Sequence, residues 1–302
     1  MKIYTLTLSP AYDVHAICED FSAGRENLAS LTSREAGGKG INISRALYSM
    51  GIKSTPVVLL GSENSDEYEA ALAKSGLEPK IIRVQGRIRE NLTLHSKHGE
   101  TRISYRGFDA PRDLVELIKN EITPDPCDIL TLTGRLPEGT SPKELLLYLT
   151  ELRNRSVRIV LDSRSYTAAD VKELSPWLIK PNREEIYEYI GKRVEKPEEL
   201  IPFADKIRAL SANLALVTLD KNGAALITEN EVIIAHAPEV NTVSSIGAGD
   251  SAIAGFIYAV KNGYGEGEAL RYAIAFGSAA AMTEGTNPPR QEDINSIIKK
   301  LI

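Results

Sequence analysis

The sequence predicts an α/β protein: a mainly parallel central sheet with helices on both faces, plus a small β-sheet lid. Three observations carry this. Short apolar runs that read as strands buried on both faces recur along the 302 residues. Helical patterns alternate with them, in the rhythm of right-handed βαβ crossovers. Two segments break that rhythm and look like short antiparallel strands outside the main sheet.

In chain order, strand-like runs occupy residues 3–8, 55–60, 128–132, 157–161, 177–179 and 214–218. Helical patterns fall at 41–50, 66–74, 111–120, 142–153 and 197–210. Two runs at 224–227 and 232–235 then flank Thr228-Glu229-Asn230-Glu231 and read as a hairpin at a sheet edge. Three helices follow, at about 252–262, 266–283 and 291–302. The irregular segments are 12–34, around Ala23-Gly24, and 89–105, around the turn Lys97-His98-Gly99-Glu100. The sequence shows no internal repeat, low-complexity tract or linker. One domain over 1–302 is therefore expected, with a lid formed by about 12–34 and 87–107.

Bulk properties narrow the function classes. Lys and Arg number 36 against 41 Asp and Glu, a net charge of −5 with no long basic run, which argues against nucleic acid as a partner. No apolar stretch approaches the ~20 residues that span a bilayer, so no membrane is expected. Met1-Lys2-Ile3-Tyr4-Thr5-Leu6 reads as a first strand without signal-peptide layout, and a cytoplasmic location is expected. Cys18 and Cys127 have no metal or redox spacing. His15, His95, His98 and His236 form no triad or zinc pattern.

Ser245-Ile246-Gly247-Ala248-Gly249-Asp250-Ser251 carries the most chemical information. Small residues before a helix let a phosphate approach unpaired backbone amides at the positive end of the helix dipole. An aspartate there would repel an anion. Asp250 makes sense as the acceptor of a proton from a hydroxyl that attacks the phosphate. Glu35-Ala36-Gly37-Gly38-Lys39-Gly40-Ile41-Asn42 is next in weight. Its glycines let a substrate lie on the backbone, Lys39 adds a cation, and Asn42 can donate to and accept from a sugar hydroxyl. It is equally a tight turn and a helix start, and it lacks Walker A spacing.

Other segments have two readings each. Asn182 and Glu185 are either a capping box or oxygen ligands for the waters of a nucleotide's Mg²⁺. Asp13 ends the first strand, where α/β sheets bind ligands, and is either a turn acid or a partner for hydroxyls. Arg87 and Arg89 are edge charges or phosphate contacts. Thr133-Gly134-Arg135-Leu136-Pro137 is a loop that could present amides and Arg135. A dinucleotide site would need Gly-x-Gly-x-x-Gly after the first strand, where Ser9-Pro10-Ala11 stands instead.

Taken together, Gly37-Gly38-Lys39-Gly40-Ile41-Asn42, Lys180-Pro181-Asn182…Glu185 and Gly247-Ala248-Gly249-Asp250 resemble the signatures of the PfkB/ribokinase family, in order and spacing across essentially the whole chain. Ser9-Pro10-Ala11-Tyr12-Asp13 is most similar to the hexose-phosphate branch, which contains 1-phosphofructokinase and tagatose-6-phosphate kinase. The resemblance implies a ribokinase-like three-layer sandwich and an ATP-dependent sugar-phosphate kinase. Fructose 1-phosphate is the first substrate it suggests, with tagatose 6-phosphate as alternative. A kinase of an unphosphorylated sugar or nucleoside and a non-catalytic sugar-phosphate sensor are the rival readings.

By the same resemblance Asp250 is the general base, and the amides of Gly247, Ala248 and Gly249 form the anion hole. Asp13, Gly38, Lys39, Asn42 and Arg89 bind the sugar phosphate. Lys180, Thr218, Gly223, Gly249 and Ala275 border the nucleotide. Asn182 and Glu185 act through Mg²⁺ and its waters. A homodimer through the lid is implied. The chain departs from the family in having Arg135 for the usual serine, Ile103-Ser104-Tyr105-Arg106-Gly107-Phe108 for Ile-Asn-x-x-Gly-Pro, and Asp220 for a glycine. These changes lie on the sugar and nucleotide sides and leave the base, anion-hole and metal motifs intact. Arg135 and Arg106 are candidates to bind a phosphate placed differently from that of fructose 1-phosphate.

Overall fold

The computed structural model describes residues 1–210 and 213–301. The elements, in order, begin with β1 (Ile3–Thr7), β2 (Ala11–Ile17), β3 (Ser30–Gly37), α1 (Lys39–Tyr48), β4 (Thr55–Gly61), α2 (Asp66–Lys74) and β5 (Lys80–Val84). Next come β6 (Arg89–Ser96), β7 (Gly99–Ser104), α3 (Leu114–Glu121), β8 (Ile129–Thr133), α4 (Pro142–Asn154), β9 (Arg158–Asp162) and α5 (Ala168–Leu174). The rest are β10 (Leu178–Ile179), α6 (Arg183–Ile190), α7 (Ala204–Arg208), β11 (Leu214–Thr218), β12 (Ala224–Ile227), β13 (Val232–Ala235), α8 (Ala248–Lys261), α9 (Glu266–Ala281) and α10 (Gln291–Leu301).

Nine strands form the main sheet in the order β13-β12-β11-β10-β9-β8-β1-β4-β5. β11 through β5 pair in parallel; β12 and β13 add an antiparallel edge. The order reverses at β1, which has β4 on one side and β8 on the other, so a crevice opens at the carboxyl ends of these strands. Successive strand residues serve opposite layers. Ile3 and Ile129 join α1, α8, α9 and α10 in one core, while Tyr4, Leu6 and Leu130 join α3 to α7 in the other. That is the three-layer sandwich the motifs implied. Glycine permits the close contact of two of its helices: a Cβ on Gly255 of α8 would lie 2.3 Å from the Tyr272 carbonyl oxygen of α9.

A second sheet, β3-β2-β6-β7, stands apart from the first. β2 pairs antiparallel with β3 and parallel with β6, and β6 turns back into β7. One of its faces packs Tyr12, Val14 and Ala36 against Tyr68 and Leu72 of α2. Asp13, facing the other way, sits directly across from Glu35 and Asn91.

Several expected boundaries shift. β3 runs on to Gly37, three residues past the expected segment, and delivers the chain straight into α1. The helix expected at 197–210 is a 3₁₀ turn, Pro197–Phe203, followed by the short α7. Pro202 inside that turn has no N–H to continue an α-helix. The helix expected from 111 starts at Leu114. α8 begins at Ala248, four residues early, so Asp250 lies inside its first turn. β5 and α5 have no counterpart among the expected elements, and α6 is expected only through the capping box at its start. Residue 302, the expected end of the last helix, lies outside the described residues.

Gly255→Ala is expected to destabilise the protein by about 1–3 kcal/mol, because overpacking forces α8 and α9 apart. Urea unfolding at neutral pH measures this.

Candidate active site

Asp250 is buried, and its Oδ2 accepts a hydrogen bond from Asn42 Nδ2 at 2.9 Å, joining α8 to α1. The Asn42 Oδ1 is also buried and has no hydrogen-bond partner in the structure. Gly247, left-handed with φ 80°, turns the chain into α8, and Ser251 makes the helix's first bond back to its carbonyl. The amides of Gly249 and Asp250 therefore precede the intrahelical ladder and face the open end of the helix. Lys180 covers this end. A Cβ on Gly249 would stand 3.2 Å from the Lys180 Nζ, so glycine lets the ammonium lie close against the backbone here.

Asp162 ties the cations together. It ends β9, buried, with Lys39 Nζ at 2.9 Å and Lys180 Nζ at 3.7 Å from its two oxygens. Burial works against its charge, but Lys180 and Lys39 outweigh that and hold it below the usual carboxylate range. Lys39 is held above its usual value: burial opposes its charge, and Asp162 and Asp250 overcome it. Asp250 goes the other way. Burial dominates and pushes it up to about 6, with Lys39 opposing and Asp162 reinforcing. Two carboxyls near the same lysines are thus set apart by their surroundings, an arrangement suited to one structural anion and one proton acceptor.

The glycine turn sits beside this cluster. A Cβ on Gly37 would stand 2.1 Å from Asp13 Oδ2, and one on Gly38 would stand 2.5 Å from Thr7 Cγ2. The buried Tyr68 hydroxyl donates to the Gly37 carbonyl at 2.6 Å and anchors the turn. Asp13 accepts from Asn91 Nδ2 at 2.9 Å; burial raises its carboxyl, with Asn91 and then Arg89 opposing. Arg89 has a buried Nε without a hydrogen-bond partner. Its guanidinium is pushed down by burial and by neighbouring Arg135. Arg135 is exposed, and among the described residues neither arginine forms an ion pair. Two adjacent cations outside any ion pair, with Asp13 as the acid acting on Arg89, can receive an anion. Arg106, by contrast, is paired to Glu138 at 3.2 Å.

Asn182 and Glu185 form the capping box of α6: the Asn182 side chain accepts from the Glu185 amide, and Glu185 Oε2 accepts from the Asn182 amide, both at 2.9 Å. Glu185 Oε1 also accepts from Arg164 Nε at 2.8 Å. The Thr218 amide bonds the Pro181 carbonyl at 3.1 Å, which keeps Thr218 beside Lys180. Asp220, at the family's glycine position, is left-handed with φ 53°, and its carboxylate accepts from Arg183 Nε at 3.2 Å. Gly223 is buried under the hairpin: a Cβ there would lie 2.2 Å from the Ala235 carbonyl oxygen. Ala275 is a correction. It is fully buried in the core between α8 and α9, away from the crevice, and Gly277 and Ser278 are the half-buried positions of that turn.

Sequence reasoning passed over Asp162, Asn91 and Tyr68. For Asp162 the signal was present, an acid directly after the buried run 157–161 at the carboxyl edge of a parallel sheet. A cavity of about 880 Å³ bounded by Glu63, Gln85, Arg87, Arg106, Phe108 and Leu117 takes in two of the candidate phosphate contacts, Arg87 and Arg106, and none of the residues around Asp250.

Comparison with known proteins follows the same lines. The chain matches the model of the pfkB family carbohydrate kinase over residues 6–293. The 1-phosphofructokinase of Escherichia coli (strain K12) is 32% identical over 282 residues, covering 92% of this chain and 90% of that protein. The 1-phosphofructokinase of Bacillus subtilis (strain 168) is 30% identical over 283 residues, covering 93% of each. The crystal structure of phosphofructokinase-2 from Escherichia coli in complex with substrates and products superposes with a TM-score of 0.89 at 24% identity, covering 100% of this chain and 99% of that one, a likeness of fold. The family resemblance and the fold class read from the motifs are both borne out.

Asp250 has a consequence for stability. Its native pKa lies above the unfolded value of 3.8, so its folding advantage belongs to the protonated form and is lost as pH rises from about 4 through about 6. Asp250→Asn escapes that loss. The variant is expected to be more stable than the parent at pH 8 by up to about 3 kcal/mol, the difference shrinking as pH falls toward 4. Urea titrations at several pH values measure this.

Proposed function

Because this chain belongs to the pfkB family of carbohydrate kinases, we propose that it transfers the γ-phosphate of ATP to a hydroxyl of a phosphorylated ketohexose, with fructose 1-phosphate as first substrate. The observation that carries the reading is the buried Asp250 in the first turn of α8, hydrogen-bonded to Asn42 and flanked by the glycine turn. The two unpaired arginines, Arg89 and Arg135, support a substrate that already bears a phosphate.

In this reading Asp13, the Gly38 backbone and Asn42 orient the sugar. Asp250 accepts the hydroxyl proton as the oxygen attacks phosphorus. The new O–P bond forms while the bond to the β-phosphate oxygen breaks, and ADP leaves. The amides of Gly247, Ala248 and Gly249, with Lys39, stabilise charge on the transferring group. Lys180 and Thr218 border the nucleotide. Asp162 keeps both lysines aimed at the phosphates. The donors near Lys180 are all oxygens, from Asn182, Glu185 and Asp162, which suits Mg²⁺ held through water. No cluster of three acids, histidines or cysteines able to cage a metal occurs among the described residues, which fits an ion that arrives with its nucleotide. When bound, Mg²⁺ supplies neutralisation of the phosphate charge. The small sheet serves as a lid that excludes water from this step.

The lid also offers a dimer face. Ile17, Leu28, Leu31, Ile103 and Tyr105, on or beside the small sheet, are all exposed, Leu28 at 96% and Leu31 at 65%. A second copy of the chain burying this patch makes a homodimer.

A coupled assay across fructose 1-phosphate, fructose 6-phosphate, tagatose 6-phosphate and free sugars tests the function. Turnover is expected with a ketohexose phosphate, and equal turnover of free sugars would overturn the reading. Asp250→Asn should lower kcat by about 10²–10⁴-fold. The acid limb of the parent's kcat/KM should fall near pH 6, because Asp250 must be ionised to take a proton. Arg89→Ala should raise KM for the sugar phosphate with little change for ATP.

For the dimer, Leu28→Asp with Leu31→Asp should shift the sedimentation coefficient from dimer to monomer. A parent protein that sediments as a monomer at micromolar concentration would refute the assembly.

A further inference from the structure

Asn42 to Asp250 is not the sole polar crossing between the sugar side of the crevice and the start of α8. Glu35, on β3, reaches the turn that follows α9. Its Oε2 accepts from the Thr286 hydroxyl at 3.2 Å and from the Thr286 amide at 3.4 Å. The close approach depends on Gly285, where a Cβ would lie 2.8 Å from the same carboxylate oxygen. Thr286 is buried at 6% exposure. The turn is also held from within: Thr283 Oγ1 donates to the Asn287 carbonyl at 2.9 Å, and the Asn287 amide to the Glu284 carbonyl at 3.1 Å.

Both ends of this contact touch the site. Glu35 lies directly across from Asp13 in the β2–β3 register and two residues before Gly37, which packs on the Asp13 carboxylate. The Thr286 Cα lies 3.9 Å from where a Gly247 Cβ would be, so the turn abuts the residue that opens α8. A shift of β3 as sugar fills the glycine turn is passed by Glu35 to the 283–287 turn, and from there to Gly247. The reverse path is equally open, since coupling between two binding events is reciprocal.

We infer that Glu35 is a positioning residue that couples the sugar-binding strand to the phosphate-cradling start of α8, so that each substrate alters the affinity for the other. The inference rests on the kinase reading above. Glu35 touches neither substrate and acts through Thr286.

The test measures Kd of a non-hydrolysable ATP analogue with Mg²⁺, by calorimetry, with and without fructose 1-phosphate. In the parent the two constants are expected to differ by about five-fold or more, the lower range of allosteric coupling. Glu35→Ala should bring the ratio to one. Glu35→Gln, which keeps an acceptor oxygen, should preserve it. Thr286→Val should reproduce the loss, and the double variant Glu35→Ala/Thr286→Val should be no worse than either single change. Hydrogen exchange of the ligand-free protein supplies a readout independent of activity: amides 285–287 should exchange faster in Glu35→Ala and not in Glu35→Gln. A simple loss of stability would lower the folded fraction without moving the ratio. An unchanged ratio in Glu35→Ala, or a ratio of one in the parent, overturns the coupling. Absence of turnover with every sugar phosphate in the substrate panel overturns the substrate reading instead, while the exchange difference still reports on the Glu35–Thr286 link.

Discussion

The site depends on keeping a carboxylate out of water without neutralising it. Asp250 is enclosed where α8 meets α1, and a lone buried charge of this kind would simply take up a proton. Lys39 and Lys180 prevent that, and Asp162 prevents the lysines from collapsing onto Asp250 by holding each of them itself. Two acids and two bases therefore balance formally. The balance leaves Asp250 with a proton affinity near that of water-exposed imidazole, so it holds a proton weakly at neutral pH. Removing Asp162 would leave the buried Lys180 ammonium and the half-exposed Lys39 ammonium facing one carboxylate, so Asp162 is an integral part of the charge balance.

The fold explains why these groups meet. Asp162 and Lys180 leave adjacent strands β9 and β10 at their carboxyl ends, and Asp13 follows β1 at the point where strand order reverses. Lys39 and Asn42 arrive on α1, which β3 of the small sheet feeds directly. The two sheets are thus mechanically joined at the Gly37-Gly38 turn. Tyr68 clamps that turn from α2, whose residues also support the underside of the small sheet. Movement of the small sheet relative to the main one is consequently movement of Asp13 and of the glycine turn.

Motifs that need particular backbone shapes were readable in the sequence, and contacts between distant residues were not. The glycines at 37, 38, 247 and 249 could be singled out because such runs mark close approaches or unusual backbone, as the contacts of Gly37 with Asp13 and of Gly38 with Thr7, the left-handed φ of Gly247 and the nearness of Lys180 to Gly249 bear out. Alternating buried runs gave the sheet, since period and apolarity are local properties. β5 is half polar and does not stand out, whereas even the two-residue β10 falls within the expected run 177–179. Ala275 was placed beside the nucleotide by resemblance alone, and a helix rich in small residues gives no clue to which side faces a neighbour. Asp162 carries a local signal in its place at the end of a buried run, but its role, like that of Glu35, is defined by partners 123 and 251 positions away.

Asn42 and Asp250 are 208 residues apart in the chain. On the ribosome, β1, β4 and β5 can associate early, but β1 must wait for β8 to cover its second edge, and α8 emerges later still. Nascent polypeptide thus holds the glycine turn before Asp250 exists beside it. The polar crossing between α1 and α8 closes only after about five-sixths of the polypeptide has been made, so the two halves of the crevice meet as a late event of synthesis.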